Sequence, residues 1–200
     1  NFGICTIFFF GIHSSVFSPI TRPIMVAFIA ENIAAFQAGE PLPHFYTAGT
    51  SSAFFGFTGC GISIGCIIAC MMSKNQRYKQ IGRVSLFPAL FGINEPILFG
   101  APIILNPIMF IPHVFGGAII GTFPMFLMHW GLLNKPVFDP PYVGIFLEGF
   151  LTNGDWRTII ACAIQLVASV AIYWPFFKIM ERNDELQASQ AKADKAIFNA

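Results

Sequence analysis

Twenty consecutive residues, Thr158–Phe177 ("TIIACAIQLVASVAIYWPFF"), carry no charged side chain. About 20 apolar residues are what a helix needs to cross a bilayer. A chain that enters hydrocarbon must pair its own backbone polar groups, so helices or closed barrels are the available solutions. The rest of the chain agrees with a membrane setting. Hydrophobic residues make up 55% and charged residues 10%, against about 25% charged in soluble domains. The expected fold class is therefore an all-α polytopic membrane protein of transmembrane helices plus re-entrant hairpins. Further spans are expected at Ala48–Met72, which is rich in glycine and serine, at Phe2–Phe17, and at Val114–Trp130. Tyr173 and Trp174 read as an interfacial belt. The first residues already lie in an apolar run with no Met and no charged leader, so the expectation is the C-terminal part of a longer membrane protein.

Charge placement sets an orientation. "SKNQRYKQIGR" holds Lys74, Arg77, Lys79 and Arg83 with no acid, and the positive-inside rule puts such a loop in the cytoplasm. A mixed-charge tail, residues 178–200, reads as cytoplasmic, leaving 1–177 as the membrane-embedded domain, the part to which the resemblance described below assigns substrate binding and transport. An even number of crossings must separate the two landmarks. Val114–Trp130 and Thr158–Phe177 supply it if the segment between them and the basic loop enters and leaves on one side. A net charge of +1 gives no reason to expect nucleic acid.

That segment, "FGINEPILFGAPIILNPIMFIP" (Phe91–Pro112), is apolar yet broken by Pro96, Pro102, Pro107 and Pro112. Proline removes a backbone donor and disfavours helix in the preceding residue. Interrupted helices persist at membrane depth only inside protein or around a cavity, and transporters build midplane sites from such arms. A re-entrant hairpin is expected at about 91–112, and a second possible one at about 138–156.

Glu95 is the leading candidate for chemistry, since an intramembrane carboxylate costs about 3 kcal/mol and needs a partner or a cavity. It also suits a helix start beside Pro96. Asn94 and Asn106 each precede a proline and read as helix caps. Asn94 is besides a donor–acceptor for sugar hydroxyls. His13, in "FFFGIHSS", reads on its own more readily as a core histidine than as a site residue. His44, His113 and His129 have weaker claims. The five cysteines read as buried small hydrophobes. No metal spacing, nucleotide loop or catalytic triad is present, so no cofactor, metal site or catalytic residue is expected.

"GINEPILFGAPIILNPIMFIP", preceded by "FFFGIH" and "GFTGCGISIG" and followed by "GFLTNGDW", resembles the membrane-spanning enzyme IIC components of bacterial sugar phosphotransferase systems. The similarity is greatest to the lactose/cellobiose/diacetylchitobiose branch. The resemblance implies a homodimeric permease in the bacterial cytoplasmic membrane, with dimer contacts supplied by an N-terminal half. It implies binding of a disaccharide or β-glucoside, an elevator-like shift, and presentation of the sugar for phosphorylation. IIB and IIA phosphocarrier proteins are the implied partners besides lipid, and they, not this chain, would carry the phosphoryl group. By the same resemblance Glu95 and His13 bind the sugar, Asn94 completes the motif, and Gly59 and Gly61 lie near the ligand. Gly92 stands where the family commonly has Asn, and Ser14 where it has Gly. "KPVFDPPYV" lacks a sugar-stacking Trp, for which Phe138 or Tyr142 are candidate replacements.

Two other readings compete: an ion-coupled secondary transporter with Glu95, and Glu148 as a further acid, at the ion site, or a non-transporting structural membrane subunit.

Overall fold

The computed structural model describes residues 2–198, and every regular element among them is helical. The helices are α1 (Phe2–Phe9), α2 (Ser18–Ala38), α3 (Ala48–Thr50), α4 (Ile64–Met71), α5 (Gln76–Ala89), α6 (Glu95–Gly100), α7 (Pro107–Phe110), α8 (Gly117–His129), α9 (Ile145–Asn153) and α10 (Arg157–Phe198). Two are long and apolar enough to cross a membrane: Pro107–His129, formed by α7 and α8 through a π-helical turn, and the Arg157–Ala191 part of α10. Residue 1 of the expected transport domain and residues 199–200 of the expected tail lie outside the described residues. α10 passes Phe177 without interruption, so no helix end marks the 177/178 boundary.

Two expected spans are broken. Phe2–Phe17 stops being helical after Phe9, turns at Gly11 (φ 84°), and resumes as a 3-10 turn at Ser14–Phe17. Ala48–Met72 is interrupted between a π-helical turn at Ser51–Phe55 and α4. There Thr58, Gly59, Gly61 and Ile62 all take positive φ (61°, 85°, 77° and 49°). L-residues pay about 1–2 kcal/mol for that conformation, so packing must hold the loop. Conversely, Ser18–Ala38 was not expected as a helix, yet it runs for 21 residues and buries only Met25, Ile29 and Asn32. The basic "loop" is helical too: Asn75 Oδ1 accepts from Arg77 N at 2.9 Å to start α5, and Tyr78 is buried.

α10 supplies the support the broken segment needs. Gln165, Ser169 and Tyr173 recur every four residues, on one helix face, and all three are fully buried. Gln165 Nε2 donates to the carbonyls of Phe54 (3.2 Å) and Ile120 (2.9 Å). Ser169 Oγ donates to Ile62 O (2.6 Å) and accepts from Gly65 N (2.9 Å). Tyr173 Oη donates to Gly61 O (2.9 Å). Tyr173 is therefore an interior anchor and not a membrane-interface residue. Close approach makes this ladder reachable: a Cβ on Gly65 would lie 2.2 Å from Ser169 O. α4 in turn packs on α5, where a Cβ on Gly82 would meet Met71 at 2.8 Å.

The proline-rich segment has a short first arm and a long second one. α6 ends at Gly100, residues 101–106 form the turn, and the chain then stays helical from Pro107 to His129. Val114–Trp130 is thus a continuation of "NPIMFIP" and not a separate helix. Asn106 caps this start, its Oδ1 accepting from Ile108 N at 3.0 Å. The missing donor of Pro112 is absorbed by the π-helical turn Ile111–Gly116, a usual response to a disrupted helical ladder. At the turn, Leu105 N donates to Phe9 O at 3.1 Å, tying the end of α1 to the tip. Around 138–156, the extended residues Val137 and Phe138 donate to Thr152 O of α9 at 2.9 and 3.1 Å.

Candidate functional site

The break after α1 and the start of α6 bring His13 to Glu95. His13 Nε2 stands 3.4 Å from Glu95 Oε1, across 82 residues of sequence. His13 is the cap of the 3-10 turn, and its Nδ1 accepts from Ser15 N at 3.1 Å. A ring nitrogen that accepts a backbone N–H carries no proton, so in the neutral ring the proton sits on Nε2, facing the carboxylate. Phe8 packs against the imidazole with ring centroids 5.1 Å apart. The side chains of His13 and Glu95 are 55% and 43% exposed, so the pair is open to a ligand. One donor and one acceptor held side by side in this way suit a hydroxyl, which both accepts and donates.

Asn94 lies behind the pair. It is 2% exposed, and its Nδ2 donates to Cys60 O at 2.7 Å and Ser63 Oγ at 2.9 Å. Its side chain makes no capping bond to α6, unlike that of Asn106. A Cβ on Gly59 would lie 2.2 Å from Asn94 Cγ, so glycine is required there twice, for its φ and for this contact. Gly61 answers in the same way to His113, whose Nδ1 would be 2.3 Å from an added Cβ. Gly59 and Gly61 therefore let the left-handed loop close onto Asn94, His113 and Tyr173.

A 220 Å³ cavity opens beside this loop. Its wall includes Arg22 and Met25 of α2, Ser51 and Ser52 of the π-helical turn, Cys60 and Tyr142. His13 and Glu95 are not in that wall. Cys60 joins the two places: its residue lines the cavity while its carbonyl holds Asn94. Tyr142 also approaches the proline-rich segment, lying 3.5 Å from where a Gly92 Cβ would be. Of the two candidate aromatic replacements, Tyr142 lines the cavity and Phe138 does not. Arg22 is held by Asp139 at 2.8 Å. Glu148 is buried, with Oε1 lacking a partner among the described residues.

Residue-by-residue reading missed the anchors Gln165, Ser169 and Tyr173, although their four-residue spacing on an apolar helix was visible. It also missed the meeting of Cys5 and Cys60, for which nothing in the local sequence gives a signal.

Interrupted helices around a cavity, braced by two helices long and apolar enough to cross a bilayer, are the features of an all-helical membrane protein. Residues 2–117 match the family described as "Phosphotransferase system, EIIC", and the chain belongs to that family. It is 34% identical over 181 residues to the galactose-specific EIIC component of Lactococcus lactis subsp. cremoris (strain MG1363), covering 86% of this chain and 39% of that protein. It is 37% identical over 189 residues to the lactose-specific EIICB component of Staphylococcus aureus, covering 90% of this chain and 32% of that protein. The chain thus spans between about a third and two fifths of these relatives. The crystal structure of the transporter ChbC, the IIC component of the N,N'-diacetylchitobiose-specific phosphotransferase system, superposes with a TM-score of 0.86. Identity is 26%, over 94% of this chain and 45% of that one.

Proposed function

We propose that this chain is the sugar-binding, transporting part of a phosphotransferase-system permease. It binds a disaccharide or β-glucoside and presents it for phosphorylation during uptake. The carrying observation is the 3.4 Å approach of His13 Nε2 to Glu95 Oε1. A sugar is neutral and rich in hydroxyls, so its site needs fixed donors and acceptors. Hydrogen bonds to an ionised carboxylate are about twice as strong as neutral ones. A primary hydroxyl held between Nε2–H and the carboxylate is oriented for attack on a phosphoryl group carried by a partner, and positioning is most of what phosphoryl transfer asks of a protein. Asn94, Gly59 and Gly61 act one step back, fixing the loop against which Glu95 is set. Tyr142 offers the sugar an aromatic face from the cavity wall.

The partners are IIB and IIA phosphocarrier proteins; the name of the S. aureus relative joins the C and B components. The functional unit is a homodimer in the bacterial cytoplasmic membrane, in contact with lipid. The basic stretch 74–83 and the tail 178–200 lie on the cytoplasmic side. Residues 91–112 act as a re-entrant hairpin within the 1–177 transport domain, its second arm continuing into α8, and 138–156 forms a second hairpin. Family membership weighs against the ion-coupled and purely structural readings.

Glu95→Gln tests the reading, because it removes charge and keeps shape. Disaccharide binding, followed by calorimetry or tryptophan fluorescence, is expected to fall at least tenfold while thermal stability is kept, the side chain being half exposed. Wild-type affinity in that variant would refute the site.

A further inference from the structure

Two thiols far apart in sequence meet in the cavity wall. Cys5 sits in the middle of α1, and Cys60 follows the left-handed Gly59. Their Sγ atoms are 3.6 Å apart, and both residues line the 220 Å³ cavity. Phe9, Val114 and Phe110 pack behind them, so the pair is backed by hydrocarbon and opens toward the cavity.

The separation and the poverty of other ligands select what such a pair can hold. Among the described residues no group of three or more His, Cys, Asp or Glu is placed to bind a metal, which leaves structural zinc without a ligand set. With metal–sulfur bonds of about 2.3 Å, a tetrahedral centre spaces its sulfurs about 3.8 Å apart, and a linear two-coordinate ion about 4.6 Å. The observed 3.6 Å matches a bent centre. A bent, thiophilic centre that needs only two sulfurs is a trivalent arsenic whose third valence is already filled by carbon.

The geometry points to a two-thiol binding site at Cys5 and Cys60 for trivalent organoarsenicals, placed in the path of the sugar. Starting from R–As=O, each sulfur forms one As–S bond. The oxygen leaves as water with the two thiol protons, and arsenic stays trivalent. The bridge ties α1, which leads into His13, to the loop that Asn94 pins beside Glu95. The organic group is left in the cavity. That consequence for the sugar rests on the proposed function, whereas the capture itself does not. Cys66 and Cys70, one turn apart on α4, form another pair, but both are fully buried and neither lines the cavity.

The full chain, in detergent or lipid, is treated with phenylarsine oxide and measured by intact mass and peptide mapping. One phenylarsine is expected per chain, mapped to Cys5 and Cys60, released by 2,3-dimercaptopropanol and retained in excess 2-mercaptoethanol. Cys5→Ser and Cys60→Ser should each weaken capture at least tenfold. Mapping on the unsubstituted chain decides the site even if a variant folds poorly. No adduct, or an adduct on Cys66 and Cys70, overturns the proposal. In a parallel arm, a disaccharide that binds the untreated chain should slow capture several-fold, and the adduct should lose sugar binding. Binding of that sugar is measured first, so failure of the sugar reading shows there and failure of the dithiol in the mass spectrum.

Discussion

Asn94→Asp separates an anchor from a sugar ligand, because it changes two hydrogens and almost no volume. The amide now gives both hydrogens away, to Cys60 O and Ser63 Oγ. Each such bond contributes about 0.5–1.5 kcal/mol net, and a buried carbonyl left without a donor costs a further ~1–3 kcal/mol. Ser63 can rotate and donate to the new carboxylate at the expense of its 3.3 Å bond to Thr58 O. Cys60 O has no such remedy and would face a negative charge. The total is about 3 kcal/mol, and at roughly 2–4 °C per kcal/mol for a chain of this size, Tm should fall by about 6–12 °C. The assay is thermal unfolding of the purified chain without sugar, alongside sugar affinity below the transition. If Asn94 served only as a sugar ligand, affinity would fall and the sugar-free Tm would stay put. That pairing of results refutes the anchoring argument.

Gly59→Ala should be among the most damaging single changes in the chain. The new Cβ meets Asn94 Cγ at 2.2 Å with φ at +85°, so overpacking of about 1–3 kcal/mol adds to left-handed strain of about 1–2 kcal/mol. Combining it with Asn94→Ala should restore part of the loss, so a double-mutant cycle on Tm must show a coupling above ~0.5 kcal/mol. Tyr173→Phe leaves Gly61 O without its donor and should cost about 1–3 kcal/mol, read as a lower Tm. The cost should shrink if the same measurement is made with Ser169→Ala already in place, because both act on one loop.

The membrane class and the all-helical fold are legible in the chain, from uncharged runs of about twenty residues. The 3.4 Å approach of His13 to Glu95 is not: the residues alone single out Glu95, and His13 joins it only through the family resemblance. Helix continuity was not legible. Phe2–Phe17 and Ala48–Met72 are apolar enough to span, and hydropathy does not register a turn at Gly11 or left-handed residues at 58–62. "PIMFIP" reads as a short broken arm because Pro112 counts as a stop. Pro107 does occupy the helix start that Asn106 caps, where its missing donor costs nothing, but Pro112 is accommodated by a π-helical turn and the helix runs on. Asn94 reads as a site residue by its neighbour, and only the fold reveals that both of its amide hydrogens are taken by Cys60 O and Ser63 Oγ. The Cys5–Cys60 approach depends on where α1 docks, which no pattern within either segment encodes.

The position of Glu95 thus depends on residues far along the chain. Glu95 stands beside Asn94, and Asn94 is held through Cys60 and Ser63 by the left-handed loop. That loop keeps its shape because Ser169 and Tyr173 take the carbonyls of Ile62 and Gly61. In hydrocarbon these carbonyls have no water to turn to, and each unsatisfied group costs several kcal/mol. The polar face of α10 is therefore a condition for the interruption of Ala48–Met72, and the interruption is in turn a condition for placing an asparagine, and next to it a carboxylate, opposite His13. Polar substitutions on α10 away from this face should leave sugar binding unchanged, whereas Ser169→Ala, more than 70 positions from Glu95, should weaken it. Unchanged affinity in a folded Ser169→Ala chain would break this line of support at its first link.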